Sequence, residues 1–167
     1  MARLEVDVWS DVTCPWCATG KRNLEEAIAA FARGDEVEVT WHAFELDPAG
    51  RATFDAHRLL KHAAVHGRQA EMLERMLRGH EAGEPVDDRE TLIRMAIDAA
   101  LQAGPVRVTL ASGRYAAEVR EDERTAERLG ITGVPYFVLA RRFGVAGAQS
   151  ADALLEGLER AYAEAAA

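Results

Sequence analysis

The sequence has very little cysteine: its 167 residues include only Cys14 and Cys17. Because no other cysteine can pair with them, a structural framework of several disulfides is excluded. The chain also lacks an apolar run of about 18 residues, so no segment is predicted to span a membrane. Residues 1–7 contain neither the apolar stretch nor the small-residue cleavage site of a secretory signal. We therefore expect a cytoplasmic protein.

Positive charge is in the minority in this sequence. Lysine and arginine together number 20 against 28 aspartates and glutamates, which leaves a net charge of −8. A phosphate backbone repels a protein of this charge, so we expect no nucleic-acid partner. Apolar residues make up 49% of the chain, which is ample for a hydrophobic core. A length of 167 residues predicts one domain, or one domain that carries an insertion.

Both cysteines lie in the stretch Thr13-Cys14-Pro15-Trp16-Cys17. Residue periodicity predicts a strand over Leu4–Trp9 before this stretch and a helix over Ala18–Phe31 after it. Two cysteines at positions i and i+3 lie on one side of a first helical turn, where they can close a disulfide. Free backbone N–H groups and the positive end of the helix favour a thiolate at Cys14. We therefore predict that Cys14 attacks or is attacked, and that Cys17 resolves the mixed disulfide.

Two other interpretations of the cysteine pair stay open. A zinc site would need four ligands, yet there is no second cysteine pair, and His57, His62 and His66 show no partner motif. We expect no metal. The second interpretation is that Cys14 and Cys17 are inert core residues. The histidines themselves are explained by packing in or beside helices rather than by catalysis.

Residues next to the cysteines are candidates for substrate binding. Pro15 suits the first helical position, where its missing N–H costs nothing. Trp16 is either a contact surface for a substrate peptide or thiol, or a ring folded over its own helix. Val134 and Pro135 begin a predicted strand, and a cis bond between them would let the Val134 backbone face Cys14 and bond an extended substrate. A trans bond at the start of the strand is the alternative.

Asp7 is a candidate proton carrier. It lies on an otherwise apolar predicted strand and is buried if that strand is central in the sheet. Burial raises the pKa of a carboxyl group, so Asp7 could pass a proton to or from Cys17. The alternative is an exposed acid near one end of the sheet. Asp11 is closer to Cys14 in sequence, but a role in the loop or as a helix cap accounts for it.

The order of the predicted elements indicates the fold class. A strand over Val37–His42 follows the first helix and gives β-α-β with a parallel strand pair. Five helices follow between Thr53 and Gly130, the third with a capping box of Asp87 and Glu90, and then two strands and a last helix. This order predicts an α/β protein with a thioredoxin fold, β-α-β then β-β-α, and an all-helical insertion. The predicted domains are residues 1–50 with 131–167 for the thioredoxin-like part and residues 51–130 for the insertion.

Several blocks of the sequence resemble the DsbA-like oxidoreductases of the FrnE type, and they occur in the right order along the whole chain. The blocks are Asp7-Val8-Trp9-Ser10-Asp11-Val12-Thr13-Cys14-Pro15-Trp16-Cys17, Trp41-His42-Ala43-Phe44-Glu45-Leu46-Asp47-Pro48, Thr53-Phe54-Asp55-Ala56-His57-Arg58-Leu59, Thr132-Gly133-Val134-Pro135-Tyr136-Phe137 and Val145-Ala146-Gly147-Ala148-Gln149. Cys-Pro-Trp-Cys together with Gly-Val-Pro is the most specific part of the resemblance.

The resemblance implies dithiol–disulfide exchange by Cys14 and Cys17, with a cis Pro135 beside them and no metal or organic cofactor. Aligning Trp9 with the tryptophan of the thioredoxin motif puts Asp7 where thioredoxins keep a buried acid. The implied partners are protein or low-molecular-weight thiols and disulfides, with glutathione as one candidate. The sequence departs from the family in the segment between Pro48 and Thr53, which is only four residues long. This short segment leaves the substrate and the choice between monomer and homodimer open.

Three functional hypotheses remain. The first is a cytoplasmic thiol–disulfide oxidoreductase that uses the Cys14–Cys17 pair. The second is a glutathione-dependent isomerase or transferase, similar to the kappa-class transferases and the 2-hydroxychromene-2-carboxylate isomerases. Those enzymes keep a single Ser or Cys at the catalytic position, so the presence of Cys17 argues against this hypothesis. The third is a non-catalytic module that has kept the motif.

Overall fold

The computed structural model describes residues 3–50 and 52–167. Arg51, where the predicted insertion begins, and the first two residues of the predicted N-terminal segment lie outside the described residues. The described chain forms one mixed sheet of four strands in the order β2-β1-β3-β4. The strands are β1 Leu4–Ser10, β2 Val37–Ala43, β3 Tyr136–Leu139 and β4 Phe143–Ala146.

Seven α-helices accompany the sheet in the described chain. They are α1 Pro15–Ala30, α2 Phe54–Val65, α3 Gln69–Glu81, α4 Arg89–Asp98, α5 Ala103–Ala111, α6 Ala116–Leu129 and α7 Ala151–Ala165, and a short 3₁₀ helix, Gly34–Glu36, precedes β2. Strand β1 pairs in parallel with β2 and antiparallel with β3, and β3 pairs antiparallel with β4. This order of elements confirms the predicted α/β thioredoxin fold with its helical insertion. None of the helices in the described part of the chain is both long and apolar enough to cross a membrane.

The two faces of the sheet have different environments. Residues with even numbers on β1, such as Val6 and Val8, join the main hydrophobic core together with Leu24 of α1 and Leu158 of α7. The period of two along a strand turns the odd-numbered side chains to the opposite face. There Trp9 forms a smaller cluster with Ala126 of α6 and Ile131.

The inserted helices share the main core with the sheet. Leu59 of α2, Met72 of α3 and Leu92 of α4 belong to the same buried cluster as Val6 and Val8. The hydrophobic core is therefore continuous from the sheet into the inserted helices. The division at residues 50/51 and 130/131 stays a prediction.

A buried ion pair fixes α3 against α1. Lys21 of α1 is buried and pairs with Glu25 and with Glu74 of α3, with 3.2 Å between Lys21 Nζ and Glu74 Oε2. Burial alone would raise the pKa of Glu74, but hydrogen bonds from Arg78 and Lys21 lower it to about 2. A buried ammonium group such as that of Lys21 needs charged partners to offset its loss of hydration. The contact therefore holds the insertion beside the helix that carries the cysteines.

Three details of the helices differ from the sequence prediction. Helix α1 begins at Pro15 rather than at Ala18, because Cys14 serves as its N-cap. Helix α4 is capped by Asp88 rather than by Asp87, with the Asp88 carboxylate accepting the Thr91 N–H at 2.8 Å. On α6, helical spacing predicts that Leu129 points inward, but its side chain is exposed.

Candidate functional site

The loop between β1 and α1 is held in place by Asp11. Its carboxylate accepts hydrogen bonds from the backbone N–H groups of Val12 and Leu46, both at 2.8 Å, and lies 3.1 Å from His57 Nε2. Burial alone would raise the pKa of Asp11, but its bond to His57 helps to lower it. The buried carboxylate thus fixes the loop that leads to Cys14, which agrees with the loop role expected for Asp11.

Cys14 caps the N-terminus of α1. Its Sγ accepts the backbone N–H of Cys17 at 3.2 Å, as an N-cap side chain does. The hydrogen bond from the Cys17 thiol is the main cause of a lowered pKa for Cys14, at about 7, and the N–H groups of Cys17 and Trp16 contribute. Burial and the charge of Asp11 act in the opposite direction. At neutral pH, a substantial fraction of Cys14 is therefore thiolate.

Cys17 lies one turn into α1 and is only 1% exposed. Its hydrogen bond to Cys14 and its burial both raise the pKa of its thiol. Both cysteines are free thiols in this structure. The pair is therefore asymmetric, with a sulfur at the helix end that ionises easily and a deeper sulfur that keeps its proton.

The loop before β3 lies against Cys14. The Val134–Pro135 peptide bond is cis, as expected. The Cys14 thiol, when protonated, donates a weak hydrogen bond to the Val134 carbonyl oxygen, with a sulfur-to-oxygen distance of 3.8 Å. The structure thus brings together Cys14, Cys17, Val134 and Pro135, four of the residues that the sequence analysis selected.

Gly20 makes room for this loop, and the sequence analysis missed it. A Cβ atom at position 20 would lie 2.9 Å from Pro135 Cγ and 3.2 Å from Phe137 Cζ, the first of which is closer than real Cβ contacts. Only glycine therefore lets α1 approach Pro135 this closely. A glycine one turn after a Cys-x-x-Cys motif was the available clue.

The two residues between the cysteines face solvent. Pro15 is the first residue of α1 and is exposed, and Trp16 is 67% exposed. A ring with that exposure has most of its surface open to contact. The predicted role of Pro15 and Trp16 in substrate binding stays a prediction.

Asp7 pairs with a histidine of the neighbouring strand β2. The alternation along β1 points Asp7 away from Val6 and Val8, which pack with α1. Asp7 is half-buried, and its Oδ1 lies 2.7 Å from His42 Nε2. The proton transfer predicted between Asp7 and Cys17 stays a prediction.

His42 joins two carboxylates on that face of the sheet. Its Nδ1 lies 2.9 Å from Asp122 Oδ1 of α6, its Nε2 lies against Asp7, and its ring stacks on Trp9 at 4.4 Å. Lys61 of α2 pairs with the same Asp122 carboxylate. With a carboxylate at each ring nitrogen, the doubly protonated form of His42 can donate two hydrogen bonds.

The charges of this network depend on one another. Burial alone would lower the pKa of His42, but its hydrogen bonds to Asp122 and Asp7 raise it. Burial would raise the pKa of Asp122, but the hydrogen bond with His42 and the charge of Lys61 lower it. The network therefore ties β1, β2, α2 and α6 together while His42 is protonated. Sequence analysis missed Asp122, because it lies among exposed charges on α6.

A first prediction concerns Gly20. Gly20→Ala should destabilise the reduced protein by about 1–3 kcal/mol, because the added Cβ overpacks the contact with Pro135. Urea denaturation measures this change. Gly104→Ala is the matched control, since a Cβ there meets no atom within 4 Å and should leave stability equal or slightly higher. Equal effects of the two substitutions would contradict the proposed close approach.

A second prediction concerns the pH dependence of stability. Because the pKa of His42 is raised in the folded state, its stabilisation is complete below about pH 6.5 and is lost as pH rises through the folded pKa. His42→Gln should therefore flatten the decline in unfolding free energy above pH 6.5. The oxidised protein should be used, so that the thiols do not titrate. His80→Gln serves as control, and an unchanged slope in His42→Gln would refute the role of the network.

Among residues 3–50 and 52–167, no three His, Cys, Asp or Glu side chains are placed so that they could hold a metal ion.

Comparison with known proteins identifies the family of this fold and site. The family model of the DSBA-like thioredoxin domain matches residues 5–159. A probable DsbA oxidoreductase from Streptomyces coelicolor is 36% identical, with a TM-score of 0.90 over 97% of this chain and 91% of that one. The oxidised structure of BdbD from Bacillus subtilis is 14% identical, with a TM-score of 0.78 over 96% of this chain and 88% of that one, and shows the fold alone.

The curated relatives are longer proteins. The Na(+)/H(+) antiporter NhaA 1 of Mycobacterium sp. (strain KMS) is 27% identical over 152 residues, which are 90% of this chain but 24% of that protein. The chain thus spans about a quarter of the length of this relative. The family match covers most of the chain, including both cysteines and Pro135. The chain belongs to the family of DSBA-like thioredoxin domains.

Proposed function

We propose that the protein is a thiol–disulfide oxidoreductase that exchanges its Cys14–Cys17 dithiol or disulfide with protein or small thiol substrates. The observation that carries the proposal is the asymmetry of the pair: a sulfur at a helix N-cap with a pKa of about 7, and a buried sulfur with a raised pKa beside it. Family membership supports the same reaction class. Within the family we propose the FrnE type, on the sequence blocks described above.

The reaction runs in two exchange steps. The Cys14 thiolate attacks a substrate disulfide, a Cys14–substrate S–S bond forms, and one substrate sulfur leaves as a thiolate. Cys17 then loses its proton and attacks Cys14 Sγ, which forms the Cys14–Cys17 disulfide and releases the second substrate thiolate. The substrate gains two electrons and the pair loses two. Run in reverse, the same steps oxidise a substrate dithiol.

The substrate side of the proposal rests on the loop before β3. The Val134 carbonyl oxygen lies 3.8 Å from Cys14 Sγ, and in the proposal it accepts a hydrogen bond from the backbone of an extended substrate beside the sulfur. Pro135 holds this carbonyl towards the cysteines, and the exposed Trp16 and Pro15 offer a contact surface. We propose these four residues as the substrate-binding set. The cytoplasmic location and the oligomeric state stay predictions.

The glutathione-dependent isomerase or transferase is the weaker candidate. Such enzymes need a single nucleophile or hydrogen-bond donor at the start of the helix. Here a second thiol, that of Cys17, is buried against Cys14 and lowers the pKa of Cys14. Nothing in that alternative requires the second sulfur. No observation on this chain favours it.

A third prediction separates the two cysteines. Cys14→Ser should reduce insulin-reduction and thiol-oxidation activity to the uncatalysed rate, because the nucleophile is lost. Cys17→Ala should also lose turnover but should accumulate a mixed disulfide at Cys14, because nothing resolves it. Mass spectrometry under non-reducing conditions detects this adduct. Undiminished activity of Cys14→Ser would refute the proposed function.

A further inference from the structure

Two adjoining cavities extend from Cys14 along the inserted helices. The first, of about 150 Å³, contains Cys14 itself, and the second, of about 330 Å³, continues towards α4. Both cavities are lined by His80 at the end of α3, so they form one groove, which we call the α3 groove. Its walls come from the β1–α1 loop, α1, Ala52, α3 and the α3–α4 loop, and none of its lining residues belongs to the loop before β3.

The charged side chains of the α3 groove are acidic. Glu81 lines the first cavity, and Glu84 and Asp87 line the second. No lysine or arginine is among the described residues that line either cavity. A disulfide substrate that approaches Cys14 through this groove therefore meets these carboxylates together with His80.

The arginine partners of two of these acids lie on another surface. Glu81 pairs with Arg22 at 3.2 Å, and Glu84 pairs with Arg75 at 2.8 Å. Both arginines line the neighbouring cleft between α1 and α3 instead of the α3 groove. Asp87 has no ion pair in the described chain and adds a full negative charge. Arg22 and Arg75 thus balance part of the charge of Glu81 and Glu84 from outside the groove, whereas the charge of Asp87 is not balanced by an ion pair.

Apolar residues form the rest of the groove wall. Val12 and Leu77 lie in the cavity beside Cys14, and Val86 lies in the second cavity with Asp87. An aliphatic stem that ends in a cation suits such a surface, because the stem covers apolar side chains while the charge reaches the carboxylates. Lysine and arginine side chains have this form, as do small aminoalkyl thiols.

From these observations we infer that the α3 groove selects disulfide substrates that carry a cationic alkyl group next to the reacting sulfur, and that it disfavours anionic ones such as oxidised glutathione. This inference rests on the proposed function. The chemistry is the exchange described above: Cys14 forms a bond to one substrate sulfur, the substrate S–S bond breaks, and the other sulfur leaves as an aminoalkyl thiolate.

The test compares three small disulfides of similar size but different charge. Reduced protein is mixed with cystamine, which is dicationic, with bis(2-hydroxyethyl) disulfide, which is neutral, and with 3,3′-dithiodipropionate, which is dianionic. The change in tryptophan fluorescence, or thiol quenching with mass spectrometry, gives each second-order rate constant. The variant Glu81→Gln/Glu84→Gln/Asp87→Asn is measured in parallel. The ratio of wild-type to variant rates cancels the intrinsic reactivity of each disulfide.

The inference predicts a ratio of wild-type to variant rate constants of about five for cystamine, about one for the neutral disulfide and clearly below one for the dianion. The ratios are modest because each exposed charge pair contributes little free energy. Added salt should reduce these differences. The control variant Glu127→Gln/Glu156→Gln/Glu159→Gln has the same net charge, but its substitutions lie on α6 and α7 away from the groove, so its ratios should be close to one for all three disulfides. The single variant Asp87→Asn changes an unpaired exposed acid and should show the same trend more weakly if the triple variant fails to fold.

Two negative outcomes have different meanings. Equal ratios for all three disulfides in the triple variant and in Asp87→Asn would overturn the inference and leave the proposed function intact. Ratios that change equally in the control variant would also overturn it, because net charge alone would then be responsible. Absence of reaction with every disulfide would instead overturn the proposed function.

Discussion

Hydrogen bonding from Cys17 to the sulfur of Cys14 is the interaction on which the rest of the site depends. It requires that Cys14 cap α1, so that the Cys17 N–H lies 3.2 Å from Cys14 Sγ. It also requires that the Cys17 thiol stay protonated, and both its hydrogen bond to Cys14 and its burial raise its pKa. The Cys14 sulfur is thereby stabilised as a thiolate nucleophile, while the Cys17 thiol stays protonated until it resolves the mixed disulfide. Dithiol exchange needs this division of roles.

The fold supplies the supports of this arrangement from several directions. Asp11 fixes the loop before Cys14, and Gly20 lets the cis-proline loop approach α1. The ion pair between Lys21 and Glu74 fixes the insertion beside the same helix. On the far face of the sheet, His42 and its carboxylates tie α6 to β1 and β2. Together these contacts leave both the α3 groove and the Val134 carbonyl beside one reactive sulfur.

Local patterns made much of this predictable from the sequence. The period of two in β1 and β2, the helical spacing after Cys17 and the position of Pro15 each depend on neighbouring residues. The order of the predicted elements then indicated the thioredoxin fold. The Gly-Val-Pro block indicated a cis proline at Pro135. The capping error at Asp87 was a shift of one residue, because two adjacent aspartates are equally good caps by sequence alone.

What could not be predicted depends on contacts between distant residues. Asp7 pairs with His42, which lies on another strand, 35 positions away. Asp122 is 80 positions from His42 and sits in a run of exposed charges on α6. Gly20 matters only because Pro135 packs on it. None of these pairings leaves a local pattern in the sequence.

The most direct test is a titration of the thiols in the reduced protein. The absorbance of the thiolate at 240 nm, or the rate of alkylation by iodoacetamide with peptide mapping, is followed from pH 4 to pH 10. The account predicts one ionisation with a midpoint at about 7, with the label on Cys14 and with Cys17 unreactive in this range. A midpoint at the ordinary thiol value of about 8.5, or labelling of Cys17 in preference to Cys14, would contradict it.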